Sequence, residues 1–171
     1  ISDCLVGSEM CIRDRGYSEP NAGSDLASLQ TKAELIDGEW VINGQKIWTS
    51  TAQYAHMMFC LVRTEPDASK HAGISYLLIP MDTPGIEIRP LVDMTLKAGF
   101  NEVFFTDVKI PETNIVGSRG EGWAVANATL GHERGSLAPP DAIMSRLNML
   151  IELMQKETLD GKPLSDDSIY R

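Results

Sequence analysis

"AELIDGEWVINGQKIWTS", residues 33–50, decides how most of the chain is built. It carries Asp37-Gly38 and Asn43-Gly44, the dipeptides that most readily supply the positive φ angles of tight hairpin turns. Around them lie Trp, Val, Ile and Thr, side chains that fit a pleated, half-buried surface. The reading is three strands in an antiparallel meander, one turn at each dipeptide.

The same punctuation extends outward from residue 16 to about 111. Strands are expected over 56–63, 74–79, 86–91 and 102–105, with turns at "TEPDASKHAG" (64–73) and "MDTPG" (81–85). Six or seven short strands with regular turns predict a small antiparallel barrel or sandwich. After "IPETNIVG" (110–117) the period changes. Trp123, Asn127, Leu130, Arg134 and Leu137 fall at helical spacing, as do Ile143, Leu147, Leu150 and Met154, with Gly161 and Pro163 as stop signals. Pro139-Pro140 predicts a kink or a fresh helix start, and "LSDDS" (164–168) offers N-caps for a third helix. The expected class is α+β: an antiparallel β-barrel or sandwich over 16–117, followed by the first helices of a truncated bundle over 118–171. An open apolar face on those helices reads as a fragment of a longer chain, or as helices partnered from elsewhere.

Residues 1–15, "ISDCLVGSEMCIRDR", follow neither period and lack the charged start and long apolar core of a signal peptide. They resemble translated adapter read-through, a foreign stretch to which no function is assigned.

Composition excludes several classes. With 15 basic against 24 acidic residues the net charge is −9, and the basic residues are scattered, so nucleic acid and anionic membranes are poor partners. The longest apolar runs, 57–62 and 74–80, fall far short of the roughly 20 residues that span a bilayer. Cys4, Cys11 and Cys60 have no paired spacing, which argues for a reducing compartment. His56, His71 and His132 lie far apart, and no metal site is expected.

"RGYSEPNAGSDLASL" (15–29) packs turn formers, hydroxyls and carboxylates into one stretch. Alone it reads as a solvated loop, as the N-cap of a helix near Asp25, or as a loop that holds a ligand. "YSEPNAGSDLASL" (17–29) resembles the signature of the acyl-CoA dehydrogenase family, and "NGQKIWTS" (43–50) resembles that family's second flavin motif. "NEVFFTDVKIPETNIVG" (101–117) and "GEGWAVANATLGHER" (120–134) complete the order, so the resemblance covers 16–171.

The resemblance implies FAD as cofactor, and a set of site residues. Tyr17 and Ser18 would donate to the flavin ring, Gly23 would allow close backbone approach, and Ser24 would reach toward the pyrophosphate and the thioester ligand. Trp48 and Thr49 would flank the flavin, and Ser50 would bring its hydroxyl near N5. Taken singly, Trp48 also reads as a core side chain and Ser24-Asp25 as a cap or Asx turn; their joint occurrence reads as a flavin site. Relatives carry an aromatic or apolar flavin contact where this chain has Arg15.

Glu133 shares a helical face with Ala126, Leu130 and Leu137, an apolar stripe that raises a carboxylate's pKa and suits it to proton abstraction. The resemblance places the base of the isovaleryl- and long-chain-type branches here, whereas other branches carry it further along. The plainer reading is a helix Glu in a salt bridge. Arg134 resembles the family's acyl-CoA-site arginine. Gly131 replaces an Asp found in many relatives, which points to a different or bulkier acyl-CoA.

The implied activity is α,β-dehydrogenation of an acyl-CoA thioester to trans-2-enoyl-CoA in lipid β-oxidation. A base removes the α-proton while the β-hydrogen leaves as hydride to the flavin, and an electron-transferring flavoprotein accepts the electrons. A homodimer or homotetramer in a bacterial-type cytoplasm or a mitochondrial matrix is the expected setting. The alternatives are an acyl-CoA oxidase, a flavin-dependent monooxygenase of the same fold, and a β-domain binding module without flavin. The 171-residue chain alone is expected to bind FAD weakly or not at all.

Overall fold

The computed structural model describes residues 13–137, 140–159 and 161–166, with side chains at 14–131, 140–158 and 161–166. Its strands are β1 (Arg13–Gly16), β2 (Lys32–Ile36), β3 (Glu39–Ser50), β4 (Met57–Arg63), β5 (Ile74–Pro80), β6 (Ile86–Leu91) and β7 (Phe100–Pro111). Helices α1 (Gly122–Leu137) and α2 (Pro140–Lys156) follow, then a short hairpin of β8 (Thr158–Leu159) and β9 (Lys162–Pro163). The expected α+β order of a β domain followed by helices is what the chain adopts.

The strands form one curled sheet in the order β1-β4-β2-β3-β7-β6, with β5 added on β4. All hairpin ladders are antiparallel, as expected, but β4 runs parallel to β1 and, at one pair, to β2. The sheet is therefore mixed. Parallel neighbours are joined by long connections, which carry no turn signal in the sequence.

The two dipeptides that set the expectation behave differently. Asp37 and Gly38, at φ of 50° and 81°, close the β2–β3 hairpin. Asn43-Gly44 does not turn the chain, which corrects the three-strand meander: β3 runs unbroken for 12 residues. Gly44, at φ 152°, sits where the β3–β7 register slips, and a Cβ there would lie 2.7 Å from Thr31 Cα. Asn43 Nδ2 donates to Asp107 Oδ1 at 3.0 Å, and Asp107 N–H donates to Asn43 Oδ1 at 2.9 Å. The dipeptide makes a bulge, held by a residue of β7 that local sequence does not reveal. Because β7 follows the whole of β3, it also runs well beyond the four residues expected.

The β core gathers the inward side chains Trp40, Ile42, Met58, Val62, Leu77, Ile79, Val103, Phe105, Val108 and Ile110. Buried Gly122 opens α1 with its Cα against the backbone of Ser75 and Tyr76, leaving no room for a Cβ. One compact unit runs through Asn127 and a second begins at Ala128, whereas the expected boundary lay at 117/118. The expected foreign boundary at residue 15 falls inside β1, whose Arg13, Asp14 and Arg15 pair with Met57, Met58 and Phe59; residues 1–12 lie outside the described residues. The helix break falls as expected, α2 opening at Pro140. At the third expected helix there is a single 3₁₀ turn, Leu164–Asp166, and 167–171 lie outside the described residues. Among the described residues no helix is long and apolar enough to cross a membrane.

Candidate functional site

The site grows out of a second irregularity in β3. Inward residues alternate as Trp40, Ile42 and Lys46, and then the register against β7 slips again before Thr49. The slip turns Trp48 outward with φ 61°, leaving it 61% exposed, its ring edge-on to Phe100 at 5.9 Å. A bulge commonly re-aims a side chain in this way. The left-handed backbone costs a non-glycine residue about 1–2 kcal/mol.

The loop after β1 meets this bulge. Glu19 and Ala22 exchange backbone hydrogen bonds of 3.1 and 3.0 Å across Pro20-Asn21, closing a tight turn. Ile47 N–H donates to Ser18 O at 2.9 Å. Lys46, wholly buried, donates from Nζ to Tyr17 O at 3.2 Å and to Glu19 Oε1 at 2.8 Å. Glu19 also accepts the N–H groups of Gln30 at 2.6 Å and Thr31 at 2.9 Å.

The result is a pocket lined by Asp14, Arg15, Tyr17, Ser18, Ile47, Trp48 and Ser50. Four of the expected cofactor residues, Tyr17, Ser18, Trp48 and Ser50, thus come together from opposite ends of a stretch of more than 30 residues. Thr49 stands behind the wall, fully buried, with its hydroxyl donating to Asn101 O at 2.9 Å. Gly23 and Ser24 are exposed and do not line this pocket. Gly131 lies exposed on α1. The backbone of α1 passes through Glu133 and Arg134, but their side chains lie outside the described residues.

Asp14 in the pocket and Glu19 behind it give the site its electrostatics. Burial pushes the Asp14 carboxyl up to about 6, against the Arg15 N–H at 2.6 Å, the Arg15 charge and the Ser50 N–H. Among the described residues its Oδ2 has no hydrogen-bond partner. Burial also opposes ionisation of Glu19, but the Lys46 charge and the hydrogen bonds from Lys46, Gln30 and Thr31 outweigh it and hold the carboxyl below its usual range. Burial pushes the Cys60 thiol up to about 11, so it is an inert core side chain at neutral pH. Among the described residues no three His, Cys, Asp or Glu side chains cluster as metal ligands.

Sequence reasoning missed Lys46, Glu19 and Ile47 as parts of this site. The available signal was parity: Lys46 occupies the inward register of Trp40 and Ile42, where a lysine is out of place unless it is paired.

A planar polar ring fits what is present. Trp48 offers an exposed aromatic ring, and the Ser18 and Ser50 hydroxyls, which make no hydrogen bond among the described residues, are donors for a ring edge.

A family model described as acyl-CoA dehydrogenase, middle domain, matches residues 15–108. The acyl-CoA dehydrogenase IpdE1 of Mycobacterium tuberculosis is 48% identical over 159 residues, which are 92% of this chain and 41% of that protein. The chain therefore spans about two fifths of that relative's length. Among solved structures, one titled "Tcur3481-Tcur3483 steroid ACAD" matches with a TM-score of 0.69 at 37% identity, over 72% of this chain and 32% of that chain. A glutaryl-coenzyme A dehydrogenase in complex with glutaryl-CoA matches with a TM-score of 0.76 at 29% identity, over 91% of this chain and 40% of that chain.

Proposed function

Because this chain belongs to the acyl-CoA dehydrogenase family, we propose that the enzyme it contributes to oxidises an acyl-CoA thioester between Cα and Cβ, giving a trans-2-enoyl-CoA. The observation that carries the reading is the convergence of Tyr17, Ser18, Trp48 and Ser50 on one pocket. FAD, when bound, supplies the acceptor for the hydride that leaves the β-carbon. Tyr17, Ser18 and Ser50 hold the edge of its ring, and Trp48 covers a flank and keeps water away. Gly23 and Ser24 serve the pyrophosphate and thioester side. Thr49 acts from behind, through its hydrogen bond to Asn101 O, as a support for its two neighbours.

Glu133 takes the α-proton, and Arg134 with Gly131 receives the acyl-CoA. The small residue at Gly131 and the likeness to a structure titled "steroid ACAD" favour a bulky acyl group over a straight chain. An electron-transferring flavoprotein accepts the electrons, and the enzyme works as a homo-oligomer. The organism of the relative reported above favours a bacterial-type setting over a mitochondrial one.

The test is the visible spectrum of the full-length enzyme, before and after anaerobic addition of straight-chain and polycyclic acyl-CoAs. Bleaching of the oxidised flavin band by the bulky thioesters is expected. A protein without flavin, or a flavin that no acyl-CoA bleaches, overturns the reading. Hydrogen peroxide release in air without an acceptor protein would replace it with an acyl-CoA oxidase. For the 171-residue chain alone, equilibrium titration is expected to show weak FAD binding or none, and sub-micromolar affinity would overturn that expectation.

A further inference from the structure

We propose that the buried Lys46–Glu19 ion pair is a positioning device for the pocket, setting the distance between its two walls; this rests on the flavin reading above. Stability alone gives little reason to keep the pair. A buried ion pair is often matched or exceeded by apolar residues of similar volume, and the inward neighbours of Lys46 on β3 are Trp40 and Ile42. What an apolar side chain could not do is bridge two segments by directed bonds. Lys46 Nζ holds Tyr17 O and Glu19 Oε1 on the loop, and the next residue, Ile47, donates its N–H to Ser18 O. On the loop side, Glu19 is fixed by Gln30 N–H and Thr31 N–H, so the pair is anchored at both ends. Its two members each adjoin the pocket in sequence, Glu19 following Tyr17 and Ser18 on one wall and Lys46 preceding Ile47 and Trp48 on the other, while Gln30 and Thr31 anchor Glu19 from outside it. Lys46 is also the last regular residue of β3 before the slip that turns Trp48 outward. Lys46 and Glu19 act through Tyr17, Ser18 and Trp48, and are positioning rather than catalytic residues.

The experiment compares wild type, Lys46→Met, Glu19→Gln and the double variant, each as full-length enzyme for flavin binding and as the 171-residue chain for amide exchange. Each single variant strands a buried partner and is expected to lower the melting temperature. The double variant removes both charges and is expected to recover it. If the pair positions the walls, the double variant still binds FAD about tenfold or more weakly, and its Ile47 amide exchanges faster by a similar factor. Recovery of FAD affinity along with the melting temperature overturns the proposal and leaves the pair a fold element only. Should no form of the enzyme bind flavin, the flavin reading falls by itself. The Ile47 amide then decides alone: unchanged exchange in the double variant sinks the positioning role, and faster exchange sustains it. A Lys46→Met chain that fails to fold leaves the double variant to carry the comparison.

Discussion

At Trp48 a large aromatic residue is held at φ 61° with most of its surface exposed, an arrangement that folding alone does not favour. Trp48→Gly relieves a backbone cost of about 1–2 kcal/mol and forfeits an edge contact with Phe100 of about 0.5–1.5 kcal/mol. The expected outcome is a denaturation midpoint at or slightly above wild type, together with FAD affinity down about tenfold in the full-length enzyme. A large loss of stability would mean that Trp48 serves the fold. Two carboxyls beside the pocket give pH dependences of opposite sign. Asp14, raised from 3.8 to about 6, contributes most when protonated; that contribution is intact below about 4 and is lost as the pH climbs to 6. Asp14→Asn is therefore expected to stabilise the chain above pH 6, by at most about 3 kcal/mol, and to change little near pH 3.5. Glu19, lowered from 4.5, contributes above that value and loses its contribution as the pH falls, so Glu19→Gln flattens the acid limb of the stability curve. Urea denaturation across pH 3–8 reads both effects. Tyr17, Ser18 and Ser50 were legible because their motifs are contiguous in sequence. The Lys46–Glu19 pair was not, since its partners stand 27 positions apart and only strand parity marks the lysine.

Strand β3 shows how one local signal yields two structures. Asp37-Gly38 and Asn43-Gly44 both supply positive φ, and sequence alone assigns a turn to each. The first has open space around it and reverses the chain; the second is crowded by Thr31 and tied to Asp107, and the chain runs straight on through a bulge. The difference lies in partners 12 or more residues away, which turn chemistry does not encode. It also separates two otherwise similar substitutions. Gly38→Ala meets only the backbone penalty of about 1–2 kcal/mol. Gly44→Ala adds a Cβ 2.6 Å from Thr31 Oγ1 and 2.7 Å from Thr31 Cα, displacing β2 from β3, and is expected to cost roughly twice as much or more. Equal denaturation midpoints for the two variants would refute the bulge as a packing constraint. The parallel edge of the sheet was illegible for a related reason: no turn joins β1 to β4, so neither its direction nor its register is written locally.

At the scale of the whole molecule, the two compact units are built to different standards. The unit through Asn127 closes on side chains with almost no exposure, among them Leu61, Leu77, Ile79 and Val103. In the unit from Ala128, α2 leaves Ile143, Met144, Leu147, Met149, Leu150, Ile151 and Leu153 between 42% and 67% exposed. The helical periodicity of 143–154 was correctly read from sequence, yet periodicity reports which residues share a face and not how far that face is covered. Since hydrophobic stabilisation follows the apolar area removed from water, leucines of the two units should respond very differently to truncation. Leu77→Ala empties a filled site and is expected to cost about 2–5 kcal/mol, whereas Leu147→Ala, already 46% exposed, should cost under about 1 kcal/mol. Amide exchange should separate the units in the same sense. The amides of β3, β4 and β5 should exchange only when the first unit unfolds, while those of α2 should exchange through local opening at much lower free energy. If instead all these amides exchanged at one common free energy, and Leu147→Ala lowered it as far as Leu77→Ala, the 171 residues would unfold as a single cooperative body. The exposed face of α2 would then belong to a helix that shares the stability of the β core.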